Sequence, residues 1–172
     1  MAALLALFAG TGLALAGEST LKVGDPAPKL QTGKWIQGEP VKDFEKGKAY
    51  IVEFWATWCG PCREWEPQFE RVAGHFAGQE SEVVFFEINC DEDETLVGPY
   101  LAEEQPKTSV LFADGLDQLL RVNSFPTTVI LDRTGKIAYR TEGFDPDSAD
   151  KALIEAITRT LHPEAAAAGA SR

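Results

Sequence analysis

Residues 50–67 read Y-I-V-E-F-W-A-T-W-C-G-P-C-R-E-W-E-P, an apolar and aromatic run that leads into two cysteines and then into mixed charged and apolar residues. The run predicts a central strand over residues 49–55, buried on both faces, because β-branched and aromatic residues follow one another almost without polar alternation. Glu53 interrupts it, and a carboxylate there is costly unless it has a partner or a role. From Cys62 onward Trp65, Phe69, Val72 and Phe76 recur at helical spacing, which predicts an amphipathic helix to about Phe76, bent or locally unpaired by Pro67. With Pro61 in the first turn, where a missing N–H costs nothing, Cys59 lies at the helix N-terminus. Unpaired backbone donors and the positive end of the helix dipole favour a thiolate there, and a thiolate is the nucleophile of thiol–disulfide exchange. Cys62, one turn along, is placed to attack the mixed disulfide that results.

Cys-x-x-Cys is also half of a zinc site, but zinc needs about four ligands. Cys90, His75 and His162 remain, with neither a second Cys-x-x-Cys nor a His-x-x-x-His, so no metal is expected. A c-type haem would need histidine where Arg63 stands, and no other cofactor is expected. The alternative that stays open is a permanent structural disulfide.

The segment W-C-G-P-C, preceded by V-E-F-W-A-T and followed by Pro67, resembles the active-site segment of thioredoxins. The likeness extends to Phe125-Pro126-Thr127-Thr128, similar to that family's cis-proline loop, and to Gly143; it covers residues 23–161 and looks closest to the TlpA/ResA group of extracytoplasmic reductases. The resemblance implies Cys59 as nucleophile, Cys62 as resolving thiol, and Trp58, Gly60, Pro61, Phe125 and Pro126 as the surface on which a client peptide docks. It also implies that Glu53, six residues before Cys59, is a buried acid exchanging a proton with Cys62; a strand-end residue reaching solvent is the other reading. Glu87 departs from the family, many of whose members carry lysine there, and a second acid near Glu53 would oppose the thiolate.

The chain has 172 residues, enough for one domain with one hydrophobic core. Its 27 acidic against 16 basic residues, a formal charge of −11, argue against binding to nucleic acid or anionic membranes. Three cysteines are too few for a disulfide scaffold, so the Cys59–Cys62 pair is expected to be catalytic.

Residues 1–16 are uncharged and apolar, too short for a comfortable membrane span, and Ala14-Leu15-Ala16 has the small-x-small form of a signal-peptidase site before Gly17. No Lys or Arg opens the segment, which leaves a cleaved signal, a retained membrane anchor or a mis-assigned start. The domain is expected over residues 17–163, with a disordered alanine-rich tail over 164–172.

Residues 18–47 predict an irregular lead-in with one or two short strands and a hairpin around Gln37-Gly38-Glu39. Residues 83–89 predict a second buried strand with Val84, Phe86, Ile88 and Cys90 on one face, making Cys90 a core thiol, or else a third redox cysteine. Asp91-Glu92-Asp93-Glu94 reads as a solvated acidic turn. Between Thr95 and Asn123 an inserted α/β element is expected: a helix opened by Gly98-Pro99, a strand over 109–112, and a helix face of Leu116, Leu119 and Leu120. Strands over 127–131 and 136–141, then a helix opened by Asp145-Pro146 with Ala149, Leu153, Ala156, Ile157 and Leu161 inward, complete the chain. The expected fold is α/β, the thioredoxin fold: three layers α/β/α with a mixed central sheet, an N-terminal extension and a central α/β insertion.

The expected function is that of an exported, monomeric protein-disulfide reductase, periplasmic or secreted. Its partners would be disulfide-bearing clients and an upstream thiol reductant, one option being a membrane-bound donor. Two alternatives remain: a thiol peroxidase, although Thr57-Trp58-Cys59 has one intervening residue where peroxidases have two, and a non-catalytic thioredoxin-like binding module.

Overall fold

Strand β2, Ala49–Trp55, is buried along its whole length and forms the middle of the sheet. It is seen in a computed structural model that describes residues 21–29, 33–79, 82–112 and 115–164. The expected signal or anchor over 1–16 and nearly all of the expected tail lie outside the described residues.

The remaining elements in chain order are β1 (Lys34–Gln37), α1 (Gly60–His75), β3 (Val83–Asn89), α2 (Val97–Glu104), β4 (Ser109–Phe112), α3 (Leu116–Leu119), β5 (Thr127–Leu131), β6 (Ile137–Glu142) and α4 (Ala149–Leu161). Among the described residues six strands form one sheet in the order β1-β4-β3-β2-β5-β6. β2, β3 and β4 run parallel, whereas β1, β5 and β6 are antiparallel to their neighbours, which makes the sheet mixed.

Period-two alternation along β2 and β3 sends side chains to two cores. Ile51, Val83 and Phe85 meet Trp65, Phe69 and Val72 of α1 and Leu153, Ile157 and Leu161 of α4. Val52, Phe54, Phe86 and Ile88 pack on the other face beneath Leu116, Leu120 and the lead-in residues Trp35, Val41 and Phe44. Each fully buried side chain of this kind contributes roughly 1.5–3 kcal/mol, so the long helices and the strands hold each other in place. The helical layer over the second face is thin, one short helix supplemented by the lead-in.

Several expectations need correction. No hairpin forms at Gly38: β1 pairs with β4, bringing Gln37 opposite Val110. Gly38 turns the chain at φ +76°, and a Cβ there would fall 2.3 Å from the Ser109 hydroxyl oxygen. The following Pro40, with no N–H, is poorly suited to a return strand. Leu119 points outward at 41% exposure, while Leu116 and Leu120 are buried. The last helix starts at Ala149 rather than at Asp145, because Asp145 closes a turn of its own, accepting the N–H of Asp147 on Oδ1 and those of Ser148 and Ala149 on its carbonyl. α1 runs to His75 with Pro67 inside it, in line with the helical spacing. Among the described residues no helix is long and apolar enough to cross a membrane.

Candidate functional site

Strand β2 ends at Trp55, and four residues later Cys59 caps α1 with its backbone still extended, φ −82° and ψ 99°. Pro61 lies in the first turn, where its missing N–H removes a donor that would have had no helical partner. Cys59 and Cys62 form a disulfide with Cα atoms 5.3 Å apart, and the Cys62 N–H donates to Cys59 Sγ at 3.1 Å. That N–H is one of the unsatisfied donors of the helix start, so the cap that stabilises the helix also stabilises negative charge on the Cys59 sulfur when the disulfide opens. The two cysteines are 4% and 5% exposed, so they differ in their place at the helix start rather than in exposure.

The client-facing surface expected from sequence comes together here. Trp58 is 69% exposed, and Gly60 and Pro61, between the cysteines, are exposed as well. The Phe125–Pro126 peptide is cis, and the Phe125 ring lies 5.8 Å from that of Trp58. Phe125 also packs against the cluster that contains both cysteines, with Trp55, Tyr100 and Val110. Gly143 donates its N–H to the Pro126 carbonyl at 2.7 Å and so ties the loop to the end of β6.

A polar row crosses the α1 side of the sheet. Thr128, Glu53 and Glu87 stand abreast on β5, β2 and β3. Glu53 is 2% exposed: Oε2 accepts from the Thr128 hydroxyl at 2.6 Å, and Oε1 has no hydrogen-bond partner. Burial pushes its pKa well above the usual carboxylate range. The nearby Trp65 indole favours the charged form without reaching hydrogen-bond geometry. Glu53 is therefore a buried acid, and the solvent-reaching alternative is excluded.

Glu87 is likewise buried, accepts from the Thr108 hydroxyl, and is pushed well up by desolvation and then by the charges of Glu66 and Glu53. Glu66 lies on α1 one turn after Cys62, and its Oε1 is buried without a hydrogen-bond partner. Its own carboxyl is pushed up to about 7, by desolvation first and the charge of Glu70 second. Arg63 is occupied elsewhere, 3.6 Å from Glu104 and 4.9 Å from the Tyr100 ring.

Sequence reasoning missed two residues at this site. Asp91 belongs to no solvated turn: it is 4% exposed and accepts from the Thr57 N–H at 2.8 Å, the Thr57 hydroxyl at 2.9 Å and the Asn89 amide at 2.7 Å. It thereby anchors the loop between β2 and Cys59, and the Asn-x-Asp pattern at the end of a predicted strand was the available signal. Glu66 was readable only as one turn beyond Cys62, next to the buried Trp65. Cys90 packs against the core on the face away from α1, its thiol 3.6 Å from the Ile88 carbonyl. Among the described residues no group of three or more His, Cys, Asp or Glu could hold a metal ion.

Comparison with known proteins agrees with this geometry. The thioredoxin family model matches residues 39–119. The chain is 32% identical over 123 residues to the thioredoxin-like protein YneN of Bacillus subtilis, covering 70% of this chain and 71% of that one. It is 27% identical over 132 residues to the thiol-disulfide oxidoreductase ResA of Bacillus thuringiensis, covering 73% of each. Among solved structures, a thiol:disulfide interchange protein of the thioredoxin family from Chlorobium tepidum superposes with a TM-score of 0.64 at 26% identity, over 79% of this chain and 95% of that one.

Proposed function

The chain belongs to the thioredoxin family, and on that premise we propose that it is an exported thiol–disulfide oxidoreductase that reduces protein disulfides by dithiol exchange. The observation that carries this reading is the capping geometry, in which the Cys62 N–H points at Cys59 Sγ. In the reduced protein that donor favours the Cys59 thiolate, which attacks a client disulfide and expels one client sulfur as thiolate. Cys62 then loses its proton and attacks Cys59 Sγ, which restores the internal disulfide and releases the second client sulfur. Glu53, with one unpaired oxygen, serves as the proton partner of Cys62. The exposed Trp58, with Gly60 and Pro61, offers a docking face, and the Phe125 backbone before cis-Pro126 pairs with an extended client segment. The protein acts as a monomer outside the cytoplasm and is recharged by an upstream thiol donor.

Thr57 speaks against a peroxidase: its hydroxyl is committed to Asp91, so it is not available to a peroxide beside Cys59. Both cysteines are present and bonded to each other, unlike a module that has lost its chemistry.

Insulin reduction tests the assignment. Cys59→Ser should abolish turnover, and Cys62→Ser should accumulate client as a mixed disulfide on Cys59; equal activity of the two variants would overturn the scheme. A Cys59–Cys62 reduction potential near about −270 mV supports the reducing direction, and one near about −120 mV would reverse it.

A further inference from the structure

Arg140 stands on β6 opposite Val129 of β5, and its side chain is 10% exposed. A guanidinium that deep needs partners for its donors, because an unpaired charge is costly to bury. Nη1 donates to the Leu120 carbonyl at 2.5 Å, and Nη2 donates to the Arg121 carbonyl at 2.8 Å and to Glu142 Oε1 at 3.0 Å. Both carbonyls lie just past the end of α3, at the start of the segment that leads to Phe125 and Pro126. Glu142, two residues on along the same face of β6, accepts the Ser124 hydroxyl on its other oxygen at 3.0 Å. β6 therefore grips the segment twice, at Leu120 and Arg121 through Arg140 and at Ser124 through Glu142. Arg121 sits at φ +52°, in the left-handed region that residues with a Cβ disfavour. Its carbonyl also accepts from the Asn123 amide at 3.2 Å, so two side chains hold this backbone in a conformation it would not choose alone.

We propose that Arg140 is the positioning residue of the client-docking loop: its guanidinium fixes the segment from Leu120 to Ser124 and so sets where the Phe125 backbone meets an extended client chain. This rests on the exchange scheme above, in which that backbone pairs with the client. Arg140 acts through the loop rather than on the sulfurs. Lysine in its place would keep the charge but lose the fork, because a single ammonium does not span two carbonyls and a carboxylate in one planar geometry. The consequence is selectivity by type of client. A polypeptide needs main-chain pairing at Phe125, whereas a small disulfide needs only Cys59, so the clamp favours protein clients over small disulfides.

The test is steady-state reduction of a disulfide-bonded peptide by Arg140→Met, with dithiothreitol as the recycling thiol. It is set beside single-turnover reduction of dithiobis(nitrobenzoate), a small disulfide with no peptide backbone. A client that loses about one main-chain hydrogen bond should show a KM raised roughly fivefold with kcat within about twofold, the mark of lost uniform binding. The small disulfide should react within about twofold of the parent rate, and Arg140→Lys should restore the peptide KM only in part. An unchanged peptide KM overturns the proposal, because the clamp then positions nothing. A parallel fall for peptide and small disulfide also overturns it, because Arg140 then only supports the fold. Glu142→Gln, at a side chain 47% exposed, keeps the test open should Arg140→Met not fold. It should raise the peptide KM about twofold, and an unchanged value counts against the clamp in the same way. Trapping of the peptide by Cys62→Ser judges the exchange scheme separately, so either overturning result leaves that scheme standing.

Discussion

Asp91 and Glu53 are both acids buried near the active-site end of the sheet, one just beyond β3 and the other inside β2, but their oxygens fare differently. Both oxygens of Asp91 are hydrogen-bonded, by the Thr57 N–H, the Thr57 hydroxyl and the Asn89 amide. Glu53 has one donor, Thr128, and one oxygen with none. A buried carboxylate whose lone pairs are filled is a fastening, because moving it would strand several donors at once. One that is half satisfied is expensive as a charge and is therefore ready to hold or release a proton. The first acid fixes the loop that carries Cys59; the second is the one we propose as proton partner of Cys62.

The comparison is open to direct attack. Asp91→Ala should destabilise the protein by about 3 kcal/mol, since charge-assisted hydrogen bonds are lost and their donors stay buried, a loss readable as a lower denaturant midpoint. No change in the midpoint would mean that Asp91 fastens nothing. Glu53→Gln should act with the opposite sign and stabilise by about 1–2 kcal/mol at neutral pH, because a neutral amide is cheaper to bury than a carboxylate.

Glu66 adds a pH dependence whose sign follows from its raised value. In the unfolded chain it loses its proton near about pH 4.3, and in the folded protein it does so near about 7. Between those values the folded state binds more protons, so stability is fully present below the lower one and declines as pH rises through the upper one. Glu53 and Glu87, also raised, act in the same direction. Thermal melts from about pH 5 to 8 should show falling midpoints in the parent and a flatter profile in Glu66→Gln; a parallel decline in the two proteins would remove Glu66 from the cause. The smallest effect belongs to Cys90→Ser. Its thiol packs on the opposite face of the sheet from α1, so turnover should be unchanged, and a marked loss would make it a redox partner.

Much of this was legible because it is local. The buried run of β2, the Pro61 start of α1 and the helical spacing of Trp65, Phe69 and Val72 each follow from neighbours in the chain. The cis peptide before Pro126 was reached through family likeness rather than composition. What could not be read depends on pairings distant in sequence. β1 finds β4 rather than a partner across Gly38. The acidic run after β3 hides Asp91, whose donor Thr57 lies 34 residues earlier. Glu66 looks like one more surface glutamate on a charged helix until β3 brings Glu87 against it.

The contrast between fastening acid and reactive acid is tested most directly by stopped-flow reduction of a disulfide peptide with Glu53→Gln, resolving formation of the Cys59 mixed disulfide from its breakdown by Cys62. Formation should proceed at the parent rate, since the helix start activates Cys59, while breakdown should slow by about 100-fold, the low end for a lost acid–base partner. Equal rates in parent and variant for both steps would show that Glu53 is only a buried residue and that Cys62 exchanges its proton without it.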